Sequence, residues 1–156
     1  MVDFLLSGDL NGIYDKNGAL YKVALFLSDK LEADTNVIFN SMVEREEISS
    51  TGLEKGIAVP HVFLTNDIVR DVHLAILTFD KSVIDWRCVD GSKVNKVFCL
   101  ITPHSRSPET ENVKRMISIM QSLASEKFTN SIESIKNSKD IVNILETYLI
   151  QGDIRR

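Results

Sequence analysis

Val72-His73-Leu74-Ala75-Ile76-Leu77-Thr78-Phe79 decides the fold. A strand with one wet face alternates apolar and polar side chains, whereas this run is apolar at nearly every position, as a strand covered on both faces must be. Val94 through Ile101 has the same character and is reached through Asp90-Gly91, a tight-turn pair. Gly56-Ile57-Ala58-Val59 is a shorter apolar strand halted by Pro60, which removes a backbone donor and ends sheet pairing there.

On either side of this block the apolar period changes from two to between three and four. Leu20, Val23, Ala24, Leu27 and Leu31 share one face of a helix that begins near Asn17-Gly18. Asp34 or Thr35 caps a second helix that turns Ile38, Met42 and Phe39 inward and runs out at Glu44-Arg45-Glu46-Glu47, before the break Ser49-Ser50-Thr51-Gly52. Beyond the strands, Pro103 and Pro108 bracket the polar loop TPHSRSPETE. A long helix then turns Val113, Met116, Ile117, Met120, Leu123 and Ala124 inward. Two further helical segments follow, the last capped by Ser138 or Asp140 and burying Ile141, Ile144, Leu145 and Tyr148 or Leu149. Helices first, strands in the middle and helices last predict an α/β fold, a single-domain sandwich with a mixed β-sheet flanked by helices on both faces. No repeat or linker divides residues 1–156.

A compact chain of 156 residues buries roughly 68–70% of its unfolded surface, enough for a core without disulfides or metals. Hydrophobic content of 44% and charged content of 26% exclude a disordered chain. The net charge of −4 is spread along the chain, without the basic face that nucleic acid requires. Cys88 and Cys99 lie in or beside apolar stretches without a CxxC spacing and read as buried free thiols. MVDFLLSGDLNG lacks a basic region and a long apolar run, which excludes a signal peptide, and no stretch has the ~18–20 consecutive apolar residues of a membrane span. The expected location is the cytoplasm, with no direct membrane insertion.

There is no GxxxxGK[ST] or GxGxxG loop, no GxSxG elbow and no HExxH helix, so nucleotide binding and the commonest serine-hydrolase and zinc-protease chemistries are unsupported. Three histidines remain. His61 follows Pro60 at the end of a strand, where an imidazole emerges beside loops; it reads either as a catalytic group or as an ordinary loop histidine. His73 lies mid-strand and reads as structural, and His104 lies in the polar loop and reads as solvated. No local spacing joins the three into a metal site, and no metal or cofactor is expected.

The stretch Arg45-Glu46-Glu47-Ile48-Ser49-Ser50-Thr51-Gly52-Leu53-Glu54-Lys55-Gly56-Ile57-Ala58-Val59-Pro60-His61 resembles the signature RE…sTg…GiAiPH of the enzyme IIA domains of the bacterial phosphoenolpyruvate-dependent sugar phosphotransferase system, fructose/mannitol type. The ordered match covers the Arg-Glu pair, the Ser-Thr-Gly turn, the glycine before the strand and the Pro-His after it. Val83-Ile84-Asp85-Trp86, Asp90-Gly91, the strand from Val94, and Pro103 with its following helix extend the likeness to about residues 10–148.

The resemblance implies a phosphotransferase that carries a phosphoryl group on His61, at Nε2, with the other ring nitrogen held by a hydrogen bond. It implies that Arg45 binds the phosphoryl oxygens through its planar guanidinium. Thr51 and Gly52 shape the adjacent turn, and the Thr51 hydroxyl is available as a donor. The family's second active-site histidine falls on Asn112, in Asn112-Val113, and asparagine cannot titrate. His104, in the preceding loop, is a spatial substitute to be tested. The donor implied is the histidine-containing phosphocarrier protein. The acceptor implied is a cysteine of enzyme IIB, itself linked to a membrane-bound IIC component, in sugar uptake; neither Cys88 nor Cys99 is that cysteine. Two alternatives stand beside it: a regulatory paralogue of the nitrogen-related branch that acts by phosphorylation-dependent protein binding, and a non-catalytic interaction module.

Overall fold

The computed structural model describes residues 3–12, 15–104 and 111–154, the side chains of 149–154 excepted. The loop positions 105–110 and the expected burial of Leu149 therefore lie outside the described residues. The elements run β1 (Leu5–Leu10), α1 (Lys16–Leu31), α2 (Thr35–Ile48), β2 (Ile57–Ala58), β3 (His61–Leu64), β4 (His73–Phe79), β5 (Lys96–Pro103), α3 (Glu111–Leu123), α4 (Glu126–Ile132) and α5 (Ser138–Ile154).

The strands form one mixed sheet in the order β1-β4-β5-β2, with β3 also on β5. β1 is parallel to β4, β4 antiparallel to β5, and β2 and β3 both parallel to β5. Every residue of β4 is buried, as its unbroken apolar run requires. Its side chains divide by the period of two. Ala75 and Leu77 join Leu20, Val23, Leu27, Ile38 and Met42 beneath α1 and α2, while Leu74 and Ile76 join Met116, Ile119, Phe128, Ile141 and Leu145 beneath α3, α4 and α5. Helices therefore cover both faces.

The helix starts are set by short polar side chains. Asp15 caps α1 by accepting from the Gly18 amide at 2.7 Å, and Asp34 caps α2 through the Asn36 and Val37 amides. At α5 the cap is Asn137, whose Oδ1 accepts from Lys139 and Asp140, rather than Ser138 or Asp140. In α3 the buried stripe is Met116, Ile119 and Leu123; Ile117, expected inside, is 49% exposed, and Ala124 is also exposed. A helix advances 100° per residue, so Ile117 falls off the stripe that Met116 and Ile119 define.

Two strands were not anticipated. β1 pairs along its whole length with β4, although it contains Ser7, Gly8 and Asp9. β3 corrects the expectation that pairing ends at Pro60. Ile57 stands opposite Lys96, Ala58 opposite Val97 and His61 opposite Leu100, so the register on β5 is unchanged across the proline. The reason lies in the proline's acceptor: its carbonyl still receives the Leu100 amide at 2.9 Å, and the missing donor is tolerated on an edge strand.

Candidate functional site

His61 is the first residue of β3, half-buried at the break that Pro60 makes in the edge strand. Val62 and Leu64 point into the core under α1 and α2, which places His61 and Phe63 on the opposite face, in line with Ile57 and Val59. Two of the described residues meet the imidazole directly. Its Nε2 lies 2.8 Å from the hydroxyl of Thr102, a buried residue of β5. Its ring packs on Phe63 with centroids 4.1 Å apart at 33°. Nε2, the nitrogen the resemblance implies as the phosphoryl acceptor, is the one that meets Thr102.

Phe63 is 45% exposed, and its outer side carries His104, at 6.4 Å between centroids. His61, Phe63 and His104 form an aromatic row with Phe63 in the middle. His73 is elsewhere: it is buried and its Nδ1 meets the Asp3 carbonyl at 2.8 Å, a structural tie between the N-terminal segment and β4. Among the described residues no three metal-binding side chains come together.

The loop between α2 and β2 is held from below by a buried carboxylate. Glu46 accepts hydrogen bonds from both the amide and the hydroxyl of Thr51 and forms a 2.8 Å ion pair with Lys16, whose ammonium also lies over the Trp86 ring. The Thr51 hydroxyl proton is thus committed to Glu46 and does not supply the donor expected of it. Thr51 acts through its backbone, where its carbonyl takes the Val59 amide, while Gly52 pairs with Ala58. Gly56, at φ +76°, closes the turn into β2 and accepts from the Asn95 and Lys96 amides.

Arg45 occupies the last turn of α2, half-buried, with one guanidinium nitrogen donating to the Ser49 carbonyl at 3.0 Å. That contact leaves most of its five donors for other acceptors, and α2 packs directly against β3. Asn112, the second residue of α3, donates to the Asp71 carboxylate at 2.9 Å, so its amide is turned to the segment before β4. Burial pushes the Cys88 thiol up and the fully buried Cys99 thiol well above the usual range, which disfavours the nucleophilic thiolate of both at neutral pH.

The sequence does not mark Phe63 or Thr102 as site residues, and it shows Glu46 only as half of the Arg-Glu pair. The period-two row from Ile57 through His61 holds a signal for Phe63, and Thr102 is a polar residue closing an apolar strand; neither signal distinguishes a site residue from an ordinary sheet position.

The fold is that of the enzyme IIA-type phosphoryl carriers. A crystal structure of the nitrogen regulatory protein IIA-Ntr from Neisseria meningitidis superposes with a TM-score of 0.71 at 20% identity, covering 91% of this chain and 96% of that one. The chain belongs to the family described as phosphoenolpyruvate-dependent sugar phosphotransferase system, EIIA 2, which it matches over residues 10–148. Among relatives, it is 33% identical over 106 residues to a nitrogen regulatory protein of Pseudomonas aeruginosa, covering 67% of each chain. It is 26% identical over 132 residues to a PTS system fructose-like EIIA component of Escherichia coli, covering 85% of this chain and 83% of that protein. Among the described residues no helix is long and apolar enough to cross a membrane.

Proposed function

We propose that the protein is a phosphoryl carrier that takes its group onto His61 from a histidine phosphocarrier protein, and that its output is regulatory, through a partner protein that distinguishes the two states. The observation that carries the first part is the placement of His61. It is an imidazole at a strand break, packed on Phe63 and hydrogen-bonded to Thr102. Phosphoryl transfer asks little more of a protein than positioning and charge stabilisation, and no metal or nucleotide has to be invoked. The Arg45 guanidinium suits the dianion because its fork can hold two oxygens at once.

The higher identity to the nitrogen regulatory relative supports the regulatory output. An apolar groove of about 500 Å³, lined by Leu53, Val59, Val89, Met120 and Leu123, begins two residues before His61, and Val89 on it is 91% exposed. Such a surface suits a protein partner. Transfer to an enzyme IIB cysteine for sugar uptake is the second reading, favoured by the fructose-like relative.

Incubation with phosphoenolpyruvate and the phosphocarrier system is expected to add one phosphoryl group, read by intact mass. The adduct should be lost in acid and kept in base, as a phosphoramidate is. A base-labile or acid-stable adduct counts against a phosphohistidine. Mixing the labelled chain with a IIB domain then separates the outputs, since only the uptake reading requires the label to pass to IIB cysteine.

Arg45→Lys is expected to slow acceptance about tenfold, because lysine keeps the charge and loses the planar fork. Its melting temperature should match that of the unsubstituted chain, since the Ser49 contact is exposed. Equal transfer rates would reduce Arg45 to a helix-end residue.

A further inference from the structure

We propose that Thr102 positions His61 for phosphoryl transfer in this chain, where asparagine stands at the family's second-histidine position. The inference rests on the phosphoryl-carrier reading of His61. Among the described residues, three polar side chains are candidates for the part. Asn112 stands at the matching sequence position, but its amide is spent on Asp71. His104 is exposed, and its ring neighbours Phe63 at 6.4 Å between centroids. Thr102 alone of the three has a hydrogen bond to the imidazole, at 2.8 Å.

Its setting suits the task. Phe63 is the residue directly opposite Thr102 on β3, so the hydroxyl reaches His61 along the diagonal of the strand pair. Thr102 is 5% exposed, and a β-branched side chain packed in a sheet has little rotamer freedom. The hydroxyl is therefore held in place before any phosphoryl group arrives. Phe63 covers one ring face while Thr102 fixes the ring edge, and the two contacts together restrict rotation of the imidazole.

In the proposed arrangement the hydroxyl donates to the Nε2 lone pair while the ring proton sits on Nδ1, which leaves Nε2 as the basic nitrogen. When the donor arrives, the hydroxyl proton turns from Nε2 to a phosphoryl oxygen. The bond from Nε2 to phosphorus forms as the donor's nitrogen–phosphorus bond breaks. A PO3 unit passes from one nitrogen lone pair to another, and no proton has to leave either ring.

The test uses the full-length chain, labelled with ¹⁵N, and its Thr102→Val and Thr102→Ser variants. In the unsubstituted, unphosphorylated protein, long-range ¹H–¹⁵N spectra at a pH where His61 is neutral should show the proton on Nδ1. Thr102→Val should turn this into a mixture of tautomers and slow phosphorylation roughly tenfold, the loss of one hydrogen bond to a reacting group. Thr102→Ser should restore both. Because the serine variant and the spectrum of the unsubstituted protein suffice, the result does not depend on the valine variant folding. A proton on Nε2 in the unsubstituted protein, or an unchanged tautomer and rate in Thr102→Val, overturns the proposal. Failure of the unsubstituted chain to take up phosphate overturns the carrier reading instead, and is distinguished by the tautomer, which needs no donor.

Discussion

Gly52→Ala is expected to lower the melting temperature by roughly 5–10 °C, the result of about 2–3 kcal/mol of overpacking against backbone. A Cβ at this position would stand 2.6 Å from the Arg87 carbonyl oxygen, 3.0 Å from Cys88 Cα and 3.2 Å from the Arg87 carbonyl carbon. No side-chain rotation relieves these contacts, because the atoms met are main chain. The two segments cannot simply drift apart either, since the Val89 amide donates to the Leu53 carbonyl at 2.9 Å and Gly52 is bridged to Ala58. The displacement passes along Ala58, Val59 and Pro60 to His61, so phosphorylation should slow as well. Thermal unfolding followed by circular dichroism checks the first effect. A melting temperature equal to that of the unsubstituted chain would mean that the loop and the Arg87 segment are not packed as closely as these distances say.

How far the sequence reveals this arrangement depends on whether a residue's role is local or comes from pairing. The β4 run is legible because double coverage imposes an apolar residue at almost every position, and the two inner helices are legible because their stripes are unbroken. β1 escapes because its partner, not its composition, makes it a strand: Ser7, Gly8 and Asp9 have low strand preference, and parallel pairing with buried β4 overrides it. β3 escapes because Pro60 reads as a terminator, whereas the edge of a sheet accepts a missing donor. Of the candidate residues, His61 and Arg45 are visible in an ordered motif, and Asn112 as the departure from the family pattern. Thr102 is 41 residues from His61 in the chain, and nothing along the sequence records that the register sets its hydroxyl on the imidazole. Thr51 shows the opposite failure. Its place in the motif is plain, as is that of Glu46, but nothing along the sequence records that the buried Glu46 takes the Thr51 hydroxyl proton.

His61→Ala is expected to have the largest functional effect and tests the central claim most directly. His73 is buried against the Asp3 carbonyl, and His104 lies on the polar loop next to Phe63 rather than at the Pro-His motif. The substitution removes a half-buried ring from an edge strand, which leaves the sheet and both core clusters intact. The measurement is intact mass after incubation with phosphoenolpyruvate and the phosphocarrier system, on the unsubstituted chain and on His61→Ala side by side, with matching circular dichroism spectra as the control for folding. The unsubstituted chain should gain one acid-labile phosphoryl group and the variant none. Uptake of phosphate by a folded His61→Ala chain to the same extent as the unsubstituted one would contradict the assignment of His61 as the acceptor.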